Sequence, residues 1–231
     1  MKRKLMIGLI STFCLISCDI TSQIPGTTGG SLSTSEIASG LKDALRVGTD
    51  SATTKLSGIN GFFANAAIKI LMPPEAKQVE KTLRNVGMGK VVDNAILSMN
   101  RAAEDASKYA GSIFWNAIKQ MTIQDAVGIL RGGDFAATEY LKKHTTAELT
   151  NAFKPVVEKS LETTDATKYW KDVFSVYNKF SSKPVNTDLN TYVTEKALEG
   201  IFYEIGLEEQ KIRKDPAARV TDILKKVFSK Q

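Results

Sequence analysis

"MTIQDAVGILRGGDFAATEYL" (residues 121–141) holds two helix starts and a helix stop in one short run. Thr122 stands where an N-cap belongs, directly before the periodic "IQDAVGIL". Gly132-Gly133 stop that helix, and Asp134 is placed to cap the next, "FAATEYL". Start, stop and start again, with apolar residues at helical spacing between, is the grammar of a helical bundle.

The same grammar extends in both directions. Pro73-Pro74-Glu75 reads as a helix start, with proline at the first position and an acid in the first turn. Gly87-Met88-Gly89 breaks that helix, and a longer one is expected to run through Asn94, Asn100 and Glu104 towards Gln120. Thr145-Thr146-Ala147-Glu148 has capping-box spacing. Asp165 opens a further helix, Asp188 the longest one, and Asp215-Pro216 the last. Two apolar faces stand out: Ala166, Trp170, Val173, Tyr177 and Phe180, flanked by Tyr169, Phe174 and Val176, and Val220, Ile223, Leu224, Val227 and Phe228. The only strand-like piece is "AAIKIL" (66–71), and one strand makes no sheet. The body, residues 36–231, is therefore expected to be a single all-α domain of about eight or nine helices.

The start of the chain has a different character. Met1-Lys2-Arg3-Lys4 is cationic, and Leu5 to Ile16 is mostly apolar. A positive stretch, a short apolar run and a small residue near the cut describe a secretory signal peptide. Twelve residues rise only about 18 Å as a helix, too short for the ~30 Å hydrocarbon layer. Leu15-Ile16-Ser17-Cys18 resembles the bacterial lipobox. That resemblance implies removal of residues 1–17 and lipidation of the Cys18 sulfur, hence a membrane partner reached through Cys18. Two or more acyl chains hold a protein on a bilayer where one chain binds only reversibly. Cys14 would leave with the signal, so no disulfide could form even in an oxidising compartment. Losing Lys2, Arg3 and Lys4 takes Lys+Arg from 31 to 28 against 25 Asp+Glu, a net charge near +3 instead of +6. That modest balance, in an exported protein, argues against a nucleic-acid partner. From Thr21 to Ser35, eleven of fifteen residues are Gly, Ser or Thr, so residues 18–35 read as a flexible tether with a reach of roughly 20 Å. The address this implies is the cell envelope, on the periplasmic side of a bacterial membrane.

Several stretches resemble domain-of-unknown-function family 4197, a bacterial group: "NGFFANAAIKILMPPE" (60–75), "MNRAAEDA" (99–106), the opening stretch 121–141, "FKPVVEKS" (153–160), "DLNTYVTEKALEGIF" (188–202) and "EEQKIRKDPAARVTDILKKVF" (208–228). The resemblance spans nearly the whole body. It implies a helical, exported protein and brings no functional residues with it.

Chemistry is sparse in this sequence. His144 is the single histidine, and no H-E-x-x-H or C-x-x-C spacing occurs, so no metal or cofactor is implied. A Ser-His-Asp triad would have to use His144, which follows Lys142-Lys143 at an expected helix end facing solvent. Ser39-Gly40-Leu41-Lys42 fits S-x-x-K but lacks its companion motifs. Arg131-Gly132-Gly133-Asp134 could form an anion-attracting nest, although an N-capping Asp134 would fill it. Glu195/Glu199 and Glu204/Glu208 are i, i+4 carboxylate pairs, usable for acid–base work only if burial separates them, and otherwise solvated. Residues 188–210 carry a net −5 and residues 211–231 a net +5, so a basic end facing anionic headgroups is conceivable.

The reading that follows is a non-enzymatic, lipid-anchored module that binds an envelope protein or scaffolds one. The alternative is a carrier holding an apolar ligand between helices near Trp170, Phe174 and Tyr177. A third is an enzyme using Arg131, Asp134, Glu195 and Glu199 as its polar site.

Overall fold

Ser33 turns the chain into its first helix, in the stretch that composition assigns to the tether. Its hydroxyl accepts the Glu36 amide while Glu36 reaches back to the Ser33 amide, a complete capping box. The computed structural model describes residues 33–164, 170–171, 174, 178–179, 184, 188–219, 225 and 227. The expected signal segment, Cys14, Cys18 and the expected tether as far as residue 32 lie outside the described residues. So do Tyr177, the start at Asp165 and all of the last apolar face except Val227.

Seven α-helices occur among the described residues: α1 (Thr34–Ser57), α2 (Lys77–Asn85), α3 (Gly89–Ser107), α4 (Ala110–Gln120), α5 (Ile123–Arg131), α6 (Ala136–Glu162) and α7 (Leu189–Lys214). Short 3₁₀ turns stand at Pro74–Ala76 and Pro216–Ala218, and no strand is present among the described residues. The all-α expectation holds, with a slightly smaller helix count. The helices belong to one compact unit, Leu32–Gln231.

α7 is the axis. Thirteen of its 26 residues are buried, over most of its circumference, and the face of Tyr192, Lys196, Glu199 and Tyr203 is left open. It packs on α6, α1 and α3, while α4 and α5 close over α1. α1 runs antiparallel to α7: Lys55 meets Glu204, and the backbone at Gly48 lies beside Glu208 and Ile212. The chain therefore enters α1 at the C-terminal end of α7. α6 buries Ala137, Leu141, Thr145, Leu149, Phe153, Val157 and Leu161, one row stepping by four. Such an i±4 ridge favours crossings near −50° over a bundle seam.

Several local expectations hold. Thr122 and Asp125 form a capping box, and Gly132 caps the C-terminus of α5. Asp188 caps α7 by accepting the Thr191 amide. Gly87, at φ 81°, ends α2 in the left-handed turn where Met88 N–H reaches Leu83 C=O.

Others need correction. Thr145 caps nothing; it lies inside α6 and donates its hydroxyl to Leu141 C=O. His144 is consequently mid-helix, exposed, with its ring 4.3 Å from Tyr140 one turn back. The long helix expected to reach Gln120 breaks at Lys108-Tyr109. α6, at 27 residues, is longer than α7 by one. Finally, Asp134 does not cap α6. Phe135 occupies that position without a side-chain bond, and the cap comes from α7.

Candidate functional site

Two features of the fold use buried charge, and they serve different ends. The first is a clamp on the turn Arg131-Gly132-Gly133-Asp134. Glu209, buried on α7, accepts the Ala137 and Thr138 amides at 3.0 and 2.8 Å and the Thr138 hydroxyl at 2.8 Å. It thereby satisfies the N-terminal amides of α6 from outside. One turn on, Arg213 bonds Glu209 and donates to Ile129 C=O at 2.9 Å, satisfying the C-terminus of α5. Both side chains are under a tenth exposed. The nest that the two glycines suggested is thus already occupied by the protein's own carboxylate.

The second feature is the irregular segment 58–73 between α1 and the first 3₁₀ turn, which includes the strand-like "AAIKIL". A non-helical segment must find partners for its buried backbone groups. Here α3 and α7 supply them. Glu104 accepts the amides of Phe62 and Phe63 at 3.1 and 3.2 Å. Arg101 pairs with Glu104 and donates to Asn60, which sits at φ 68°. Buried Asn100 takes the Ile70 N–H at 2.9 Å and gives its own amide to Ile70 C=O at 2.8 Å, replacing the neighbouring strand that "AAIKIL" lacks. Glu204, 1% exposed, accepts from Asn65 at 2.6 Å and Lys55 at 2.7 Å. Phe62 is fully buried against Gly200, where an added Cβ would fall 2.5 Å from its ring.

So braced, residues 67–74 form one wall of an open groove of about 460 Å³; α7 forms the other. Such a volume lies within the usual range for binding sites. Lys69, Lys77, Lys196 and Glu199 line it, with Tyr192, Tyr203, Ile68 and Leu71. Lys196 pairs with Glu199, and the Lys69 ammonium stands 3.9 Å over the Phe63 ring. The Tyr192 hydroxyl donates to Leu71 C=O at 2.9 Å. Burial first, and the carboxylates of Glu199 and Glu75 second, push its pKa up, so it remains a neutral donor. Leu71 and Tyr203 are 55% and 46% exposed at the rim.

The four polar residues nominated by sequence are not brought together. All four are exposed. Asp134 pairs with Lys214 at 2.8 Å, a bond that holds its carboxyl below the ordinary range. Glu199 lies fifteen residues up α7 from that lysine, about 22 Å along the axis. Arg131 ends α5 beside the clamp, and Glu195 and Glu199 belong to the opposite half of α7. Of the four, Glu199 alone lines the groove. Trp170 and Phe174 are buried with ring centroids 4.4 Å apart, and neither lines the groove. Tyr177, the third residue of that region, is outside the described residues. A small apolar space beside Leu41, Leu45, Ile205 and Ile212 measures about 20 Å³, room for roughly one water and too little for an apolar ligand. Among the described residues no three His, Cys, Asp or Glu side chains are grouped to hold a metal ion. No described helix is long and apolar enough to cross a membrane.

Within residues 211–219, the start of the positive end of the chain is also self-satisfied. Lys211 pairs with Glu208, Arg213 with Glu209 and Lys214 with Asp134. Buried Arg219 donates to the carbonyls of Ile212 and Arg213. Sequence reading gives no sign that Asn100, Glu104 and Glu209 brace backbone, and it offers Glu204 only as the partner of Glu208 in a carboxylate pair, not as the buried acceptor of Asn65 and Lys55. A signal existed in Gly200 and Gly206, mid-helix glycines that cost about 1 kcal/mol against alanine unless something packs close. Phe62 packs on the first and Phe135 on the second.

Fold and groove together define an all-α domain wound on a central helix, with a polar-braced loop forming one wall of an open cleft. The family described as protein of unknown function (DUF4197) matches residues 31–229, and the chain belongs to it. No curated protein and no solved structure matches the chain.

Proposed function

We propose that this protein is a lipid-anchored binding module of the bacterial cell envelope, held through Cys18 and working through the groove between residues 67–74 and α7. The anchor rests on the lipobox resemblance of Leu15-Ile16-Ser17-Cys18. The observation that carries the binding reading is the cost of the groove wall. Two buried carboxylates and a buried amide are committed to holding an irregular segment rigid beside an open cleft. Buried polar networks rigidify when fully satisfied, and a rigid wall is what a preorganised site requires. The layout agrees with the anchor. The chain enters α1 at the C-terminal end of α7, while Tyr192, Lys196 and Glu199 lie in its N-terminal half and Tyr203 just past its middle. The groove is then remote along α7 from the start of α1.

Site-specific photo-crosslinkers at Leu71 and Tyr203, in intact cells, test this directly. One dominant, identifiable adduct is expected from both groove positions and none from Lys142, on the exposed face of α6. The same adducts from both faces, or none from the groove, would contradict the proposal. Separately, Cys18→Ala is expected to abolish incorporation of labelled fatty acid; an unlabelled wild-type protein would remove the anchor.

A further inference from the structure

We infer that the groove takes an extended, acidic peptide segment of a partner protein, carrying at least one large apolar side chain between its carboxylates. This deepens, and rests on, the reading of the groove as the working face. Three observations lead there. The first is charge. Lys69, Lys77 and Lys196 face the cleft against Glu199, and with Glu75 on the adjoining turn the cations still outnumber the carboxylates three to two. Lys196 is matched by Glu199, whereas Lys69 has an aromatic face as its neighbour and Lys77 has no ion-pair partner among the described residues. The contrast with the far end of α7 is direct: there Lys211, Arg213 and Lys214 each meet a carboxylate.

The second is the rim. Leu71 and Tyr203 stand about half exposed on either wall, an arrangement left uncovered by a small molecule lying in the trough but covered by a chain running across it. An apolar side chain of that segment would sit between them, while flanking carboxylates reach the Lys69 and Lys77 ammonium groups. The third is rigidity. Because Asn100, Glu104 and Glu204 already fix the wall, the ordering cost of binding falls mainly on the peptide.

The test uses the full chain in nanodiscs of zwitterionic lipid, so that charged peptides meet no charged bilayer. Fluorescence anisotropy would compare three labelled peptides: one with aspartates and glutamates flanking leucine and phenylalanine, one with lysines in place of the acids, and one with serines in place of the apolar pair. The acidic apolar peptide is expected to bind at least about tenfold tighter than either of the others, and more weakly as salt rises. Lys69→Ala with Lys77→Ala is expected to weaken it about tenfold, while Lys142→Ala with Lys143→Ala leaves it unchanged. Equal binding of the basic peptide, indifference to the groove double variant, or no peptide binding would overturn the inference. If the crosslinker at Tyr203 finds a partner and the acidic peptide does not bind, the ligand class falls and the groove reading stands. If neither occurs, both fall.

Discussion

Two buried glutamates of α7, five residues apart, are of the same kind and do different things. Near the C-terminus of α7, Glu209 and Arg213 close the α5–α6 turn, and Lys211, Arg213 and Lys214 each end on a carboxylate of the chain. Nearer the middle of α7, Glu204 and its α3 counterparts Asn100 and Glu104 hold a wall in place beside an open, cation-lined cleft. The first arrangement is self-contained; the second leaves charge and apolar surface unanswered. Buried charge alone therefore does not mark function in this fold. What distinguishes the end proposed to bind a partner is what the braced element faces.

Variants can break or sharpen that contrast. The largest effect is expected from Glu209→Ala, which leaves Arg213 and two helix amides buried without their acceptor. A loss of about 3–5 kcal/mol is expected, a fall in Tm of roughly 6–20 °C for a domain of this size. Thermal unfolding would show it, and a fall of only a degree or two would remove the clamp from the account. Asn100→Ala comes next at about 2–3 kcal/mol, because the Ile70 N–H and C=O lose their partners together. Amide hydrogen exchange should localise this loss to residues 60–72, whereas Glu209→Ala should loosen the start of α6. If both variants loosened the same elements, the division into two regions would be wrong.

How much of this was legible beforehand follows from range. The starts at Thr122 and Asp188, the stop at Gly132 and the break at Gly87 depend on neighbours within four residues, and they were read correctly. The false cap at Thr145 looked identical locally; the row from Ala137 to Leu161 carries the helix through it by tertiary burial. Asp134 failed as a cap for the same reason, since Glu209 reaches those amides from 71 and 72 residues away. Of the site, sequence supplied Glu199 through its carboxylate pairing. It could not supply Lys69, Lys77 or Tyr203, whose convergence depends on how segment 58–73 is folded back onto α7.

A smaller effect concerns acid. Asp188, at the entrance to α7, is held below the ordinary carboxylate range by the Thr191 hydroxyl and then its amide. Because its folded pKa is lower than its unfolded one, its stabilisation is complete above about pH 4 and fades as pH falls through the folded value. Asp188→Asn keeps a capping side chain, so a change of roughly 0.5 kcal/mol or less is expected at pH 7, with a shallower loss of stability below about pH 4. Denaturant titrations at pH 7 and pH 3 would read both. A loss that steepened in the variant would reverse the sign and refute the assignment. Smallest of all, Asp134→Ala removes only an exposed pair with Lys214 and is expected to leave thermal unfolding unchanged.

The most direct test of the groove as the working face is partner recovery from intact cells with Lys69→Ala and Lys77→Ala combined, measured per unit of folded protein. Both side chains line the groove and neither takes part in the bracing network, so folding should be preserved. The account predicts that the adduct formed through Tyr203 disappears while Tm stays within a degree or two of the parent. Undiminished recovery of the same partner by a folded double variant would contradict it.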